Sequence, residues 1–492
     1  MQNLNESLQA KYPHLELAIL PLSQVNKDNE SKRIDSEYFK KEYLENEERL
    51  LNSIQFDEMI ELLTDGKHGG VTLTDNGVLF LRNTNIKDGF IDIAEPNYIS
   101  QEESNATKRA EFKEGDILLS TIGTVGLSAV VPKNFPKATI NQNLVRIVLK
   151  DGYLSGFVST FLNCYFGRSQ VLRMAAGNVY QMINYPNLRK IKIPLFPKPF
   201  QLEIEKLVKQ SHEALEDSKR LYKEAQELLY KELELDFKNP LKSLLKSSLQ
   251  AKKTSELAII NDISKKYPHL NISVRPLSKS LHKSGRLDSE YYQSKYDLME
   301  TKIKSFSHKK LGELVGIQKS IEPGSEAYQD EGIEFVRVAN LGKFGLSKSD
   351  IYLNEQDFSK ELKKLAPKKE TILLSKDGSI GISYCLEEDL ECITSGAILH
   401  LKVKDKGEIL PQVLSLILNS IVVKLQAERD AGGSIISHWK ISEIEKVLIP
   451  LFDFKLQEQI ALKIQKSFTL RAKSKDLLQN AKIRLENAIE NG

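Results

Sequence analysis

The sequence predicts an α+β protein: two tandem pseudo-repeated modules, each followed by a long helix, the two helices pairing as an antiparallel coiled coil. The first observation is that the chain repeats itself in order. Lys11-Tyr12-Pro13-His14-Leu15 returns as Lys266-Tyr267-Pro268-His269-Leu270, a displacement of 255 residues, and Pro21-Leu22-Ser23 returns likewise as Pro276-Leu277-Ser278. Asp35-Ser36-Glu37-Tyr38 returns as Asp288-Ser289-Glu290-Tyr291, displaced by 253. Phe80-Leu81-Arg82 then matches Phe335-Val336-Arg337, and Ile117-Leu118-Leu119-Ser120 matches Ile372-Leu373-Leu374-Ser375. A period this long exceeds any solenoid repeat, so each copy should bury its own core. The second observation is that short apolar runs bounded by turn residues fill the body of each copy. The third is that each copy closes with a long stretch free of Pro and Gly.

In the first copy, Val78 to Arg82 and Asp116 to Ser120 read as short buried strands, with Asp75-Asn76-Gly77, Lys87-Asp88-Gly89 and Glu114-Gly115 as adjacent turns. Ile140 to Leu149 alternates through Leu144, Arg146 and Val148, as a half-buried strand would. Phe157 to Met174 has helical spacing and meets a glycine stop at Ala176-Gly177-Asn178. The second copy repeats this order with Phe335 to Arg337, Ile372 to Ser375, Ile398 to Val403, a helix over Val413 to Arg429, and Ala431-Gly432-Gly433.

The closing helices carry a seven-residue period. From Gln201 to Phe237, Leu207, Ala214, Leu221, Leu228 and Leu235 form one row, with Val208, Leu215, Tyr222 and Leu229 beside it. Asn239-Pro240 is read as the stop. Leu456 to Ile489 is the second such helix. A small-residue edge, Ile204, Ser211, Ser218 and Ala225, recurs as Ile460, Ser467, Ser474 and Ala481, displaced by 256. Small side chains in register let helices approach closely. The expected pairing set is therefore Ile204, Val208, Ser211, Leu215, Ser218, Tyr222, Ala225 and Leu229 against Ile460, Ile464, Ser467, Ser474, Leu478, Ala481 and Leu485. The alternative is that each helix packs only on its own module, although at about 1.5 Å per residue a helix of roughly 55 Å overhangs one.

Composition bounds the class. At 492 residues the chain has room for about three or four domains. A net charge of +3, from 70 basic and 67 acidic residues, makes no nucleic-acid argument without segregation of charge. Cys164, Cys385 and Cys392 have no CxxC spacing, so neither a disulfide framework nor a zinc site is supported. The N-terminus has no apolar signal core, and Val413 to Leu425 is too short to span a bilayer; a cytoplasmic protein with no membrane partner is expected.

Catalytic motifs are missing. There is no GxGxxG, no GxxxxGK[ST], no HExxH and no Pro-Pro dipeptide of the kind an adenine methyltransferase motif needs. Gly123-Thr124-Val125-Gly126 and Gly378-Ser379-Ile380-Gly381 lack a following lysine and read as turns between strands. Asp350 with Glu361-Leu362-Lys363 has no counterpart in the first copy and reads as coincidence in a charge-rich chain. His68, in Asp65-Gly66-Lys67-His68-Gly69-Gly70, reads as part of a glycine-rich surface loop. A binding protein is expected.

These residues, duplicated in order, resemble the specificity (S) subunit of type I restriction–modification systems. Asp65 to Gly70, Phe80-Leu81-Arg82 with Asn85-Ile86, Asp116 to Ser120, and Ile193-Pro194-Leu195 with Gln201 look like the recognition-domain pattern, and Ile449-Pro450-Leu451 with Gln457-Glu458-Gln459 repeats the domain-to-helix junction. The second copy departs by lacking the Asp-Gly-x-His-Gly-Gly loop, having Gly316 to Gly324 near that place. The resemblance implies residues 1–200 as an N-terminal segment with the first target recognition domain, and 201–238 as a central spacer helix. It implies 239–300 as a junction opening the second repeat, 301–455 as the second recognition domain and 456–492 as a C-terminal spacer helix. Residues 242–265 have no match in the first copy.

It implies further that each domain reads one half of a split sequence in double-stranded DNA, while the helices hold the spacing and dock two methyltransferase (M) subunits. Adenine N6 methylation, and cleavage once restriction (R) subunits join, would then be partner chemistry. No cofactor is expected in this chain; S-adenosylmethionine, ATP and Mg2+ are expected in the partners. On loops beside glycine turns and strand ends, where base and phosphate contacts would come from, the candidates are Lys67, Arg82, Asn83, Asn85, Asn141, Gln142, Asn178, Tyr180 and Gln181. In the second copy they are Arg337, Asn340, Lys376, Ser434, His438 and Lys440. Each has the plain alternative of a solvated surface residue, and Arg82 that of an arginine satisfying carbonyls at a strand end. Other readings of the whole are a specificity subunit of a type IIB-like enzyme and a tandem interaction module that binds no DNA.

Overall fold

The computed structural model describes residues 2–26, 29, 32–50, 52–94, 96–177, 180–251, 266, 286–431 and 438–491. They form two compact units, Met1–Glu216 with Leu470–Gly492, and Asp217–Thr469. Each unit therefore holds one end of each long helix.

The strands of the first unit are β1 Ser53–Gln55, β2 Ile60–Asp65, β3 Leu73–Thr74, β4 Val78–Leu81, β5 Tyr98–Ile99, β6 Ile117–Ser120, β7 Ser128–Val130, β8 Ala138–Ile140, β9 Leu144–Leu149 and β10 Lys192–Pro194. One four-stranded sheet runs β2-β9-β6-β7, antiparallel throughout. A second runs β3-β5-β4-β8, in which β4 and β8 are parallel. β1 pairs with β10 and ties the two ends of the domain together. The unbroken apolar run of β6 has a simple cause: its two faces feed different cores. Ile117 and Leu119 join Phe157, Phe161 and Phe166 on the helical side, whereas Leu118 joins Leu81, Ile86 and Ile140 under the second sheet.

Two expectations are corrected here. Ile140 to Leu149 is not one strand, because the chain turns at Asn141–Asn143 between β8 and β9. Phe157 to Met174 is two helices, Ser155–Asn163 and Tyr165–Met174, broken where Cys164 is extended (φ −72°, ψ 167°). The carboxylate of Glu486 accepts the freed Tyr165 N–H at 2.7 Å, so the break is satisfied from the C-terminal helix.

The second unit repeats the plan with β11 His308–Lys310, β12 Val315–Lys319, β13 Tyr328–Gln329, β14 Ile333–Val336, β15 Leu341–Gly342, β16 Gly345–Leu346, β17 Tyr352–Leu353, β18 Ile372–Ser375, β19 Ser383–Cys385, β20 Cys392–Thr394, β21 Ile398–Val403 and β22 Leu448–Pro450. Its sheets are β12-β21-β18-β19 and β13-β17-β14-β20, with β14 and β20 parallel, and β11 pairs with β22. The hairpin β15-β16 is an addition. The single helix expected over Val413 to Arg429 is again two, Pro411–Leu418 and Ile421–Asp430, the second capped by the Ser420 hydroxyl accepting from Val422 N–H.

The long helices are Lys198–Glu232 and Phe454–Glu490. Pro240 does not end the first. The chain leaves it through Glu234 at φ +52°, with Leu235 N–H donating to the Tyr230 carbonyl at 2.9 Å, and Pro240 opens a further helix. The buried seam is the Val208, Leu215, Tyr222, Leu229 row with its small-residue edge, while Leu207, Leu221 and Leu228 are only half-buried. In the first unit the Ser211 and Ser474 hydroxyls lie 2.8 Å apart, and Ser211 Oγ donates to the Ser474 carbonyl at 2.9 Å. In the second, the Ser218 and Ser467 hydroxyls lie 3.1 Å apart, and Ser467 Oγ donates to the Ser218 carbonyl at 2.7 Å. Partners that fall in one sequence as they rise in the other make the pairing antiparallel. A hydroxyl reaching the opposite backbone requires close contact between the helices.

Ser211→Leu should therefore lower stability by about 1–3 kcal/mol through overpacking, more than Ser211→Ala, which loses hydrogen bonding of about 1 kcal/mol. Urea unfolding midpoints rank the two, and a leucine variant as stable as wild type would remove the close-contact constraint. A second expectation concerns pH. His400 on β21 is buried, 2.8 Å from Thr394 Oγ1, and burial pushes its pKa down from 6.5 to about 4. The unfolded chain then binds a proton that the folded one refuses, so His400 has no effect above about pH 6.5 and weakens the fold below it, by up to about 1.4 kcal/mol per pH unit down to about pH 4. Urea midpoints over that window should fall more steeply than in His400→Gln, and parallel slopes would clear His400.

Candidate functional site

The C-terminal ends of β2, β4, β6 and β8 and the start of β9 lie together, because Asp65 pairs with Val145, Ser120 with Leu144, and Leu81 with Ile140. Four loops leave from this end, and with the segment that follows the helix Tyr165–Met174 they are knit by their backbones. Lys67 N–H donates to the Ile140 carbonyl at 3.0 Å and the Lys67 carbonyl accepts from Gln142 N–H at 3.1 Å. Asn141 N–H donates to Leu81, Thr121 N–H to Asn143, Ile183 N–H to Thr121, and Gly123 N–H to Gln181, each between 2.9 and 3.1 Å. Gly66 permits the first of these crossings, since a Cβ there would fall 1.9 Å from the Ile140 oxygen.

The candidate side chains of this unit divide into holders and free ends. Asn85 accepts Arg82 N–H through Oδ1 and donates to the Asp92 carbonyl through Nδ2, both at 2.8 Å, so it shapes the turn after β4. Asn83 Nδ2 donates to the Ile122 carbonyl at 3.1 Å, and Asn141 Oδ1 accepts Asn143 N–H at 3.2 Å. Lys67 pairs with Glu103. Arg82 is half-buried with its guanidinium 5.9 Å from the Phe80 ring centre. Gln142 is half-buried with no side-chain partner among the described residues, and Tyr180 and Gln181 are exposed. Asn178 lies outside the described residues.

Asp65 gathers two side chains at the same edge: exposed His68, with Nε2 2.6 Å from Oδ2, and Arg109, 3.1 Å from Oδ1. Half-buried Tyr185 lies beside them, and desolvation pushes its phenol up to about 12, so it stays neutral. The sequence reading omits Arg109 and exposed Met182, neither of which has a matching residue in the other copy to mark it.

The second unit builds the same platform. Ser395 N–H donates to the Val336 carbonyl, Gly396 N–H to Ile321, Lys376 N–H to Ala397 and Trp439 N–H to Lys376, between 2.7 and 2.9 Å. Asn340 repeats the role of Asn85, accepting Arg337 N–H at 3.0 Å and donating to the Lys348 carbonyl at 3.2 Å. Arg337, however, pairs with exposed Asp350 at 3.0 Å, which also accounts for that carboxylate. Lys376 pairs with Asp377, whose other oxygen meets exposed His438 Nδ1 at 2.9 Å. Trp439 is buried and anchors exposed Lys440 beside it. Ser434 lies outside the described residues. Gly123–Gly126 joins β6 to β7 and Gly378–Gly381 joins β18 to β19, as turns. Buried Cys164 and Cys385 are unsuited to nucleophilic work, because desolvation pushes their thiols up to about 12.

A family model for the type I restriction modification DNA specificity domain matches residues 65–225 and 303–483. Among solved structures, the chain is similar to the type I restriction–modification S subunit from M. genitalium, with 14% identity over 89% of this chain and 94% of that one and a TM-score of 0.39. It is similar to the HsdS subunit from Thermoanaerobacter tengcongensis, with 15% identity over 89% of this chain and 95% of that one and a TM-score of 0.27. The type IIG restriction endonuclease BpuSI shares 11% identity over 36% of this chain and 29% of its own, with a TM-score of 0.29. Comparison with curated protein sequences returns no match. No helix among the described residues is long and apolar enough to cross a membrane.

Proposed function

Because the chain belongs to the type I restriction–modification DNA specificity family, we propose that it is the sequence-reading, non-catalytic subunit of a methyltransferase and endonuclease complex. Each unit reads one half of a split target in double-stranded DNA, and the long helices dock two M subunits, which R subunits join for cleavage. Methyl transfer to adenine N6 takes place on the partners, which hold S-adenosylmethionine; ATP and Mg2+ serve the cleaving complex. The observation that carries this reading is the recurrence of one loop platform, at the same end of the same sheet pair, in both units.

The platform supplies what direct readout needs. Lys440 presents charge suited to phosphates, which set register, as does Arg109 by sharing its Asp65 partner, while Arg82 carries the paired donors that suit guanine, and Gln142 and Gln181 the donor and acceptor that suit adenine, in the major groove. Tyr180 adds an exposed aromatic face. Arg337, Lys376 and His438 already sit on Asp350 and Asp377, so DNA must exchange or share those partners. Lys67 likewise leaves Glu103 to bind phosphate. Asn83, Asn85, Asn141 and Asn340 hold the backbone of these loops. Asn178 and Ser434 complete the proposed set.

Co-expression with an M subunit and single-molecule mapping of adenine methylation should reveal one asymmetric motif with a fixed unspecified gap. An intact complex that adds no methylation would sink the reading. Arg82→Ala should cost about 1–3 kcal/mol of binding and relax choice at one position if Arg82 reads a base. A phosphate contact would instead weaken all sequences alike and flatten the salt dependence, and an unchanged profile over randomised sites would remove Arg82 from the interface.

A further inference from the structure

The repeated segment Arg-x-Asp-Ser-Glu-Tyr lies ahead of each stretch matched by the family model and folds into the same device twice. In the first unit Arg33 grips Asp35 with two bonds, Nε–Oδ2 at 2.8 Å and a terminal nitrogen to Oδ1 at 2.7 Å. Its other terminal nitrogen donates to the carbonyls of Arg173 at 3.2 Å and Ala175 at 3.1 Å. Asp35 also accepts Tyr38 N–H at 3.1 Å. The Tyr38 ring lies between two guanidiniums, Arg33 at 5.0 Å and Arg173 at 4.7 Å, and Arg173 is held by the Tyr38 carbonyl and by Glu47, both at 2.9 Å. In the second unit Arg286 grips Asp288 at 2.7 and 3.0 Å and donates to the Arg429 carbonyl at 3.4 Å. Tyr291 lies between Arg286 at 4.7 Å and Arg429 at 5.7 Å, and Glu300 holds Arg429 at 3.0 Å.

The gripped carbonyls are those that close the helices Tyr165–Met174 and Ile421–Asp430. A helix C-terminus leaves carbonyls unsatisfied, and a cation there fixes where the helix stops and how the chain departs. In the first unit the departing chain is the recognition loop. Ala176 and Met182 exchange two backbone bonds at 2.9 Å, the Gln181 carbonyl accepts Gly123 N–H at 3.1 Å, and the Ile122 carbonyl accepts Asn83 Nδ2 at 3.1 Å. Hydrogen bonds, joined by single steps of backbone, thus link Arg33 to the loops presenting Tyr180, Gln181 and Arg82. In the second unit the gripped helix closes at Asp430, and His438, the next recognition candidate among the described residues, lies beside Asp377.

We propose that Arg33, Asp35 and Tyr38, and separately Arg286, Asp288 and Tyr291, are positioning residues for base reading, each set fixing the helix end after which its own unit's recognition residues follow, Tyr180 and Gln181 in the first and His438 and Lys440 in the second. This rests on the DNA-reading assignment above. It places part of the specificity apparatus outside the matched domains, in residues that need touch no DNA.

The test is the methylation profile of the full complex over a randomised target library, for wild type, Arg33→Ala, Arg33→Lys and Arg286→Ala, with urea midpoints measured alongside. Arg33→Ala should lower discrimination about tenfold at one or two positions of a single half-site, leaving the other half-site and the gap unchanged. Arg286→Ala should do the same to the opposite half-site. Arg33→Lys keeps the charge but loses the two-pronged grip, so it should fall between wild type and alanine, and it serves as the test should the alanine variant not fold. Unchanged base choice in these variants, or a uniform loss at both half-sites with base choice intact, would overturn the proposal. A wild-type complex without any split motif would instead overturn the DNA-reading assignment itself.

Discussion

How near the two long helices come is decided by serines. Ser211 against Ser474, and Ser218 against Ser467, put hydroxyl groups where larger side chains would hold the helices apart, and each pair bonds the opposite backbone as well as the opposite side chain. With the axes that close, Ala225 and Ala481 become fully buried, and Gly89 can bring its loop against Leu478, where a Cβ would lie 2.9 Å from the leucine methyl. Lys482 then reaches Asp88 and Glu486 reaches the break at Tyr165, so the C-terminal helix becomes part of the first unit's core. The first unit is thus completed by a helix end from a remote part of the chain, and the C-terminal half of the first long helix packs into the core of the second unit.

The sheets supply the second constraint. Joining β4 to β8 in parallel and β2, β9 and β6 antiparallel brings four strand ends and one strand start to one edge. Loops at that edge pair through their backbones, which leaves side chains to vary without loss of the frame. The asparagines that close the turns, Asn85 and Asn340, belong to the frame, because each holds one backbone N–H and one carbonyl.

Much of this was legible in the sequence, and the limits have physical causes. Duplication exposed the two units, and heptad spacing exposed the helices and their small-residue edge, since both are patterns in one dimension. The sheet pairing was hidden, because β4 and β8 meet across more than fifty residues with no short turn to announce them. Helix breaks at Cys164 and Asn419 fall within apolar runs that keep helical spacing, and only the capping groups at Tyr165 and Ser420 reveal them. At the candidate site, residue type identified Asn85 and Asn340 as polar loop residues but not which way their amides face. Asp35-Ser36-Glu37-Tyr38 stood out as a repeat, while the grip of the neighbouring Arg33 on the Arg173 and Ala175 carbonyls depends on a contact spanning about 140 residues.

The two copies keep the same frame and differ in what it carries. Where the first unit has Lys67 and His68 after β2, the second has Ile321 and no histidine, and it adds the β15-β16 hairpin. Where the first has Met182 beside Ile122, the second has His438 beside Asp377. Arg82 and Arg337 leave equivalent strands, yet one lies over Phe80 and the other is paired to Asp350. Topology is held constant while loop chemistry changes at these tips, and the shared parts, the serine seam, the turn asparagines and the paired arginine grips, maintain the frame.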